Sequence, residues 1–198
     1  MFSDKIKNMF RKIVQPIVNL FVKLRIHPNA ITFAGFLIAS VSGYFYAKGH
    51  FYLGLLFLVL SGISDTFDGM VARQTKNVTL FGAFFDSNID RFNEFVVLFG
   101  IAFFFNTWGM YIYSYLTFAS IFLSVMISYA RARAEGLNVK CSKGLMGRAE
   151  RVVFIIIASF FPLNIFKNMI ILYFILLFVT VIQRIIIVKF TLKDKEVK

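Results

Sequence analysis

The sequence is short of charge, and the charge it has is lopsided. Only 16% of its 198 residues are charged, and Lys and Arg outnumber Asp and Glu by 22 to 10. A soluble domain carries roughly a quarter charged residues, so an ordinary soluble domain is excluded. One cysteine, Cys141, excludes an internal disulfide and offers no thiolate metal pattern; a buried or idle thiol is expected. There is no internal repeat, low-complexity tract or second domain. The basic N-terminal stretch is interrupted by charges and lacks a clean apolar core, so no cleavable signal peptide is expected.

Apolar residues fill the gap: 59% of the chain is hydrophobic and 18% aromatic. They fall in uncharged blocks at 31–47, 51–64, 95–130, 152–166 and 169–183. The third is too long for one span of about 20 residues, and "FNTWG" predicts a turn within it, with Trp108 at an interface. Two of the blocks look short, but each lengthens if flanking polar residues belong to the same helix. The runs are continuous rather than alternating, which favours helices over a barrel. The expected fold is therefore an all-α integral membrane protein with six transmembrane helices over 27–190. Before them, residues 1–26 place Phe2, Ile6, Phe10, Ile13, Val14, Ile17, Phe21 and Leu24 at helical spacing among lysines. This predicts an amphipathic interfacial helix, kinked or restarted at Pro16, with packing on its own protein as the alternative. Residues 191–198 read as a basic cytoplasmic tail.

A net charge of +12 invites a nucleic-acid partner, but the positions of the cations argue against one. Of the 22 basic residues, 20 lie before the first span, around the second or fourth connection, or at the end of the chain. Only Lys48 and Lys167 lie in the alternate connections. By the positive-inside rule, both termini and the second and fourth connections are cytoplasmic. Within the first span, Gly35, Ala39 and Gly43 form a small-residue stripe of the kind that lets helices pack closely.

Against this background four carboxylates stand out. Asp65 and Asp68 are spaced i,i+3, and Asp86 and Asp90 i,i+4, so each pair occupies one helix face. In an antiparallel hairpin the pairs meet at the cytoplasmic helix ends, where four carboxylates cannot all stay ionised without a cation. Hard divalent ions with oxygen ligands, Mg²⁺ or Mn²⁺, suit such a cluster, and two ions could clamp a phosphate. Gly69 allows close backbone approach and Arg73 lies one turn beyond it. The competing explanation is a set of salt bridges to Arg73 or Arg91. A cation transporter would instead hold its carboxylates along a water path at the bilayer midplane.

The pattern Asp65-x2-Asp68-Gly69-x2-Ala72-Arg73-x8-Gly82-x3-Asp86-x3-Asp90 resembles the signature of the CDP-alcohol phosphotransferase family at every specified position. The resemblance implies a six-helix enzyme, a homodimer, in the prokaryotic cell (inner) membrane with a cytoplasmic active site. It implies attack by an alcohol hydroxyl on the β-phosphorus of CDP-diacylglycerol or CDP-archaeol, releasing CMP. It implies two metals held by Asp65, Asp68, Asp86 and Asp90, with Asp90 also the general base. It assigns the nucleotide to Gly69, Arg73 and Thr79, and to the "NAIT" segment Asn29, Ala30, Ile31 and Thr32.

The acceptor is read from basic clusters elsewhere. "SYARARAEG", "KGLMGRAERVV" and "VIQRIIIVK" resemble the phosphatidylinositol-phosphate and archaetidylinositol-phosphate synthase branch. There, matching positions hold inositol phosphate, which assigns Arg131, Arg148 and Arg184 to the acceptor's phosphate. Gly147 and Ala149 depart from that branch, which usually has Glu and Pro there. The expected acceptor is a phosphorylated polyol, inositol 1-phosphate, with glycerol 3-phosphate as the alternative.

Overall fold

The computed structural model describes residues 4–141 and 144–196, and the side chains of 14–141 and 144–193. Phe2 and Lys143 lie outside the described residues, as do the side chains of Ile6, Phe10 and Ile13. The described residues form seven helices: α1 (Asp4–Lys23), α2 (Pro28–Ala47), α3 (Phe51–Gln74), α4 (Leu80–Thr107), α5 (Tyr111–Gly136), α6 (Arg148–Ala158) and α7 (Leu163–Glu196).

Local signals explain most boundaries. Pro28 opens α2 behind a His27 cap, whose Nδ1 accepts from the amide of Asn29 at 3.2 Å. Gly49 and Gly109, with φ of 79° and 70°, end α2 and α4. Each lets the next amide, of His50 or Met110, reach back to Phe45 or Phe105 in a Schellman-type stop. The predicted turn at Trp108 is therefore present, and Trp108 is exposed.

Helix α3 runs on from its apolar block to Gln74, carrying both of its aspartates inside the helix. The block at 152–166, expected as one span, is not one helix. Helix α6 stops at Ala158, and α7 begins at Leu163 behind Pro162. Proline has no amide hydrogen to continue a helix, but its carbonyl accepts from Ile165 and Phe166. Helix α6, with 11 residues, is too short to cross a hydrocarbon layer of about 30 Å. Residues 191–196 of the expected basic tail continue α7 as helix.

Four helices, α2, α3, α5 and α7, are long and apolar enough to cross a membrane. Helix α4 has the length, but it carries Asp86, Asp90, Arg91 and Glu94. Large apolar side chains such as Phe103, Phe122 and Phe178 point outward, as expected of a bundle solvated by lipid.

Helix α2 packs along both α3 and α4, and α5 along α4 and α7. Small residues and serines make these contacts. A Cβ on Gly43 would overlap the Val96 carbonyl, and one on Gly100 would overlap the Gly43 carbonyl, so the two backbones touch. Ser42, Ser61 and Ser64 donate to the carbonyls of Gly54, Gly35 and Ile31 at 2.7, 3.0 and 3.2 Å. Ala39 is fully buried, so the Gly35–Ala39–Gly43 stripe does pack internally. At the far end, Phe51 sits between Phe104 and Phe166, at 5.0 and 4.9 Å between ring centroids.

Helix α1 is unbroken through Pro16. It buries Val14 and Val18, the latter against Ile31 of α2 and Val71 of α3, while Ile17, Leu20 and Leu24 stay exposed. The helix thus packs on its own protein along one side and presents apolar residues on another.

Candidate active site

The C-terminal part of α3 and the N-terminal part of α4 bring their carboxylates to one end of the bundle, beside the N-terminus of α2. One oxygen from each of Asp65, Asp68 and Asp86 lies within 4.8 Å of the others. Asp68 is buried, and its Oδ2 accepts from the Thr32 hydroxyl at 2.6 Å. Asp86 keeps a buried Oδ1 with no partner. Three converging hard oxygen donors, one with an unsatisfied buried lone pair, fit a divalent ion such as Mg²⁺ or Mn²⁺.

Asp90 is also buried but turns toward Arg148 at the start of α6, with which it forms an ion pair. The same guanidinium reaches Asp65, Nη1 to Oδ2 at 3.3 Å and Nη2 to Oδ1 at 3.2 Å. Arg148 therefore joins the fourth aspartate to the first. Among the described residues, no ion pair links Arg73 or Arg91 to the four aspartates. Arg91 donates instead to the Ser87 carbonyl. The competing salt-bridge explanation named the wrong arginines.

Two cavities open on either side of this cluster. The first, about 290 Å³, is lined by Asn29, Thr32, Asp68, Gly69, Arg73, Thr79, Gly82 and Asp86. Arg73 lies over Gly69 so closely that a Cβ there would be 3.3 Å from Nη1. Thr79 caps α4, its hydroxyl accepting from the Gly82 amide at 2.9 Å. Two of the expected nucleotide residues are elsewhere: Ala30 faces outward, and Ile31 is buried against Val18 and Val71. Helical spacing separates them, since Asn29 and Thr32 share a face that Ala30 and Ile31 do not. Asn77, in the connection between α3 and α4, also lines this cavity. It was missed because loop positions carry no periodicity.

The second cavity, about 800 Å³, is lined by Asp90, Arg91, Arg131 and Arg148, with Ser128, Tyr129 and Glu135. Arg131 is paired with Glu135 one turn on, Nε to Oε1 at 2.8 Å. Arg184 does not line this cavity. It is buried beside Gly144, donates to the Ile127 carbonyl, and keeps an unpartnered Nε. It thus ties α7 to α5 at the residue before Ser128.

One further pair had no place in the sequence reading. Arg151 is bound to Glu94 through both carboxylate oxygens, at 2.6 and 2.7 Å, and Tyr173 donates to the same carboxylate at 3.3 Å. The available signal was position: Glu94 is one turn beyond Asp90, and Arg151 one turn beyond Arg148. Cys141 is buried, as expected of an idle thiol.

Comparison with known proteins adds independent findings. The family model for CDP-alcohol phosphatidyltransferases matches residues 25–186. The archaetidylinositol phosphate synthase of Pyrococcus horikoshii is 36% identical over 184 residues, covering 92% of this chain and 94% of that one. The crystal structure of Mycobacterium tuberculosis phosphatidylinositol phosphate synthase with CDP-DAG bound is similar with a TM-score of 0.82. That match has 24% identity and covers 89% of this chain and 94% of that chain. The same mycobacterial protein in complex with manganese and citrate is similar with a TM-score of 0.80, at 23% identity over 87% of each chain.

Proposed function

Since the chain belongs to the CDP-alcohol phosphatidyltransferase family, we propose that it transfers a phosphatidyl or archaetidyl group from a CDP-linked lipid to inositol 1-phosphate, releasing CMP. It is an integral membrane enzyme of the CDP-alcohol phosphotransferase class. The observation that carries the acceptor is the second cavity, where Asp90 shares a wall with Arg91, Arg131 and Arg148. Three guanidinium groups suit an acceptor that already carries a phosphate and would be excessive for a neutral alcohol. The name of the Pyrococcus relative supports the same acceptor class.

In this reading the cytidine diphosphate occupies the first cavity. Arg73 pairs with a phosphate, Gly69 leaves room beside it, and Asn29, Thr32 and Thr79 contact the nucleotide. Arg148 and Arg131 hold the acceptor's phosphate, with Arg184 supporting them from behind. Held by its phosphate, the acceptor turns a ring hydroxyl toward Asp90, which takes the proton as oxygen attacks the β-phosphorus. The bond to the CMP oxygen breaks on the opposite side of that phosphorus. Asp65, Asp68, Asp86 and Asp90 would hold two Mg²⁺ or Mn²⁺ ions, which neutralise charge on the diphosphate and on departing CMP.

Six helices, α2 to α7, make up the membrane domain, with α6 entering only part of the layer and α1 lying at the cytoplasmic interface. The distribution of Lys and Arg supports a cytoplasmic active site and cytoplasmic termini. An acceptor panel tests the function. Purified protein with Mg²⁺ and CDP-diacylglycerol or CDP-archaeol should release CMP fastest with inositol 1-phosphate. Preference for free inositol or serine would defeat the phosphate-pocket reading, and preference for glycerol 3-phosphate would replace the polyol.

A further inference from the structure

Helix α6 presents Arg148 to the aspartates from its first residue, yet it is only 11 residues long. An isolated helix of that length is marginal, so its rotation must be fixed by what it packs on. Its buried residues are Arg151, Ile155 and Ala158, a single stripe. Arg151 is the polar member, 2% exposed, and all three of its guanidinium nitrogens are engaged. Nε and Nη2 bind the two oxygens of Glu94, and Nη1 donates to the Met146 carbonyl at 3.3 Å. Tyr173 of α7 completes the Glu94 carboxylate. One buried ion pair thereby ties α6 to α4, to α7 and to the segment that leads into α6.

The register of this tie is what matters. Arg148 and Arg151 are one turn apart on α6, and Asp90 and Glu94 one turn apart on α4. The two helices are therefore joined by two rungs, a buried one at Glu94–Arg151 and a partly exposed one at Asp90–Arg148, and between them lies only a small cavity of about 40 Å³. Only the outer rung borders the large cavity. We propose that Glu94 and Arg151 are positioning residues for the acceptor: they set the rotation and depth of α6, and so aim Arg148, without touching substrate. This rests on the assignment of Arg148 to the acceptor's phosphate.

Physical chemistry gives the expected failure. Glu94→Gln leaves Arg151 buried without its counter-charge, a costly arrangement. Helix α6 relieves it by turning the guanidinium toward water, which carries Arg148 away from Asp65 and Asp90. Misplacement of a binding group by about 1 Å can cost about a hundredfold in rate.

The test is a double-mutant cycle on the full-length protein in detergent, read by CMP release and by Mn²⁺ titration. Glu94→Gln should raise the acceptor KM about tenfold while the CDP-lipid KM stays within about twofold. In an Arg148→Ala background it should add nothing, because its effect passes through Arg148. A further tenfold rise in the double variant would overturn the proposal. Mn²⁺ binding followed by electron paramagnetic resonance, with no substrate present, gives the independent readout. Glu94→Gln and Arg148→Ala should both tighten it several-fold, since each frees Asp65 and Asp90 from a competing cation. Unchanged Mn²⁺ affinity in Glu94→Gln also overturns the proposal. An unchanged acceptor KM in Arg148→Ala defeats only the acceptor reading, leaving the titration to judge the pair. Should Glu94→Gln fold poorly, Glu94→Leu/Arg151→Leu removes both buried charges together and should show the same selective loss of acceptor binding.

Discussion

The two cavities on either side of the aspartates are built differently. The smaller is formed by α2, α3 and α4, and its only arginine is Arg73. Apart from Pro28 and Val78, the rest of its lining is small residues, hydroxyls, amides and carboxylates, which admit a flat, neutral base as readily as a phosphate. The larger is formed by α4, α5 and the start of α6, and three arginines meet there. One side can be specific through close backbone approach, the other through charge. If the proposed division of donor and acceptor holds, the two sides can be altered separately.

The largest effect should come from that shared wall. Asp86→Asn keeps size but removes a charge from the three-carboxylate group, and CMP release should fall by about a thousandfold or more with every acceptor. Turnover near normal would remove the metal assignment and the comparison with it.

Next come the two arginines that distinguish the sides. Arg73→Ala should raise the CDP-lipid KM by about ten- to a hundredfold whichever acceptor is supplied, and Arg148→Ala should do the same for the acceptor alone. Steady-state kinetics with both substrates varied reads this directly. A crossed result, with Arg73→Ala altering acceptor KM, would mean the cavities have been assigned backwards.

A smaller effect sharpens the first side. Thr79→Ala removes the cap on α4 and should destabilise the protein by about 1 kcal/mol, visible as a lower thermal unfolding midpoint without ligand. Thr79→Ser keeps the cap and should restore the midpoint. The smallest effect belongs to Arg131, which is half exposed and already paired with Glu135. Arg131→Gln should raise the acceptor KM by only about threefold, and less at high salt, because exposed ion pairs are weak and screened.

The smaller cavity was far more legible in the sequence than the larger. Its residues come mostly from one contiguous stretch, Ser64 to Glu94, in which i,i+3 and i,i+4 spacing already assigns faces. The turn at Trp108 and the extension of α3 to Gln74 were legible for similar local reasons. The larger cavity joins residues from distant helices, and spacing within each helix does not say that Arg148 meets Asp65, 83 positions away. Arg184 shows the same limit. An arginine at an apolar helix end reads as a ligand site; here it is buried, with one nitrogen on the Ile127 carbonyl and Nε unpartnered. The break between α6 and α7 escaped because hydropathy ignores backbone hydrogens, although Pro162 was there to be weighed. For α1, an apolar stripe among lysines does not say whether lipid or protein receives it; the structure packs Val14 and Val18 on protein and leaves Ile17, Leu20 and Leu24 exposed.

The contact of Gly43 with Gly100 has a mechanical meaning for the reaction. It is a point where the backbones of α2 and α4 touch, and the same two helices carry Thr32 on one side and Asp86 and Asp90 on the other toward the polar end. Thr32 lies about 16 Å along α2 from that contact, and Asp86 about 21 Å along α4, at 1.5 Å per residue. A single methyl group at Gly43 would overlap the Val96 carbonyl and push the two backbones apart, a separation the rigid helices would pass on to the carboxylates. The grip on a cation at the polar end of the bundle is thus set by two hydrogen atoms in its apolar middle, and damage there would look in an assay like a lost ligand.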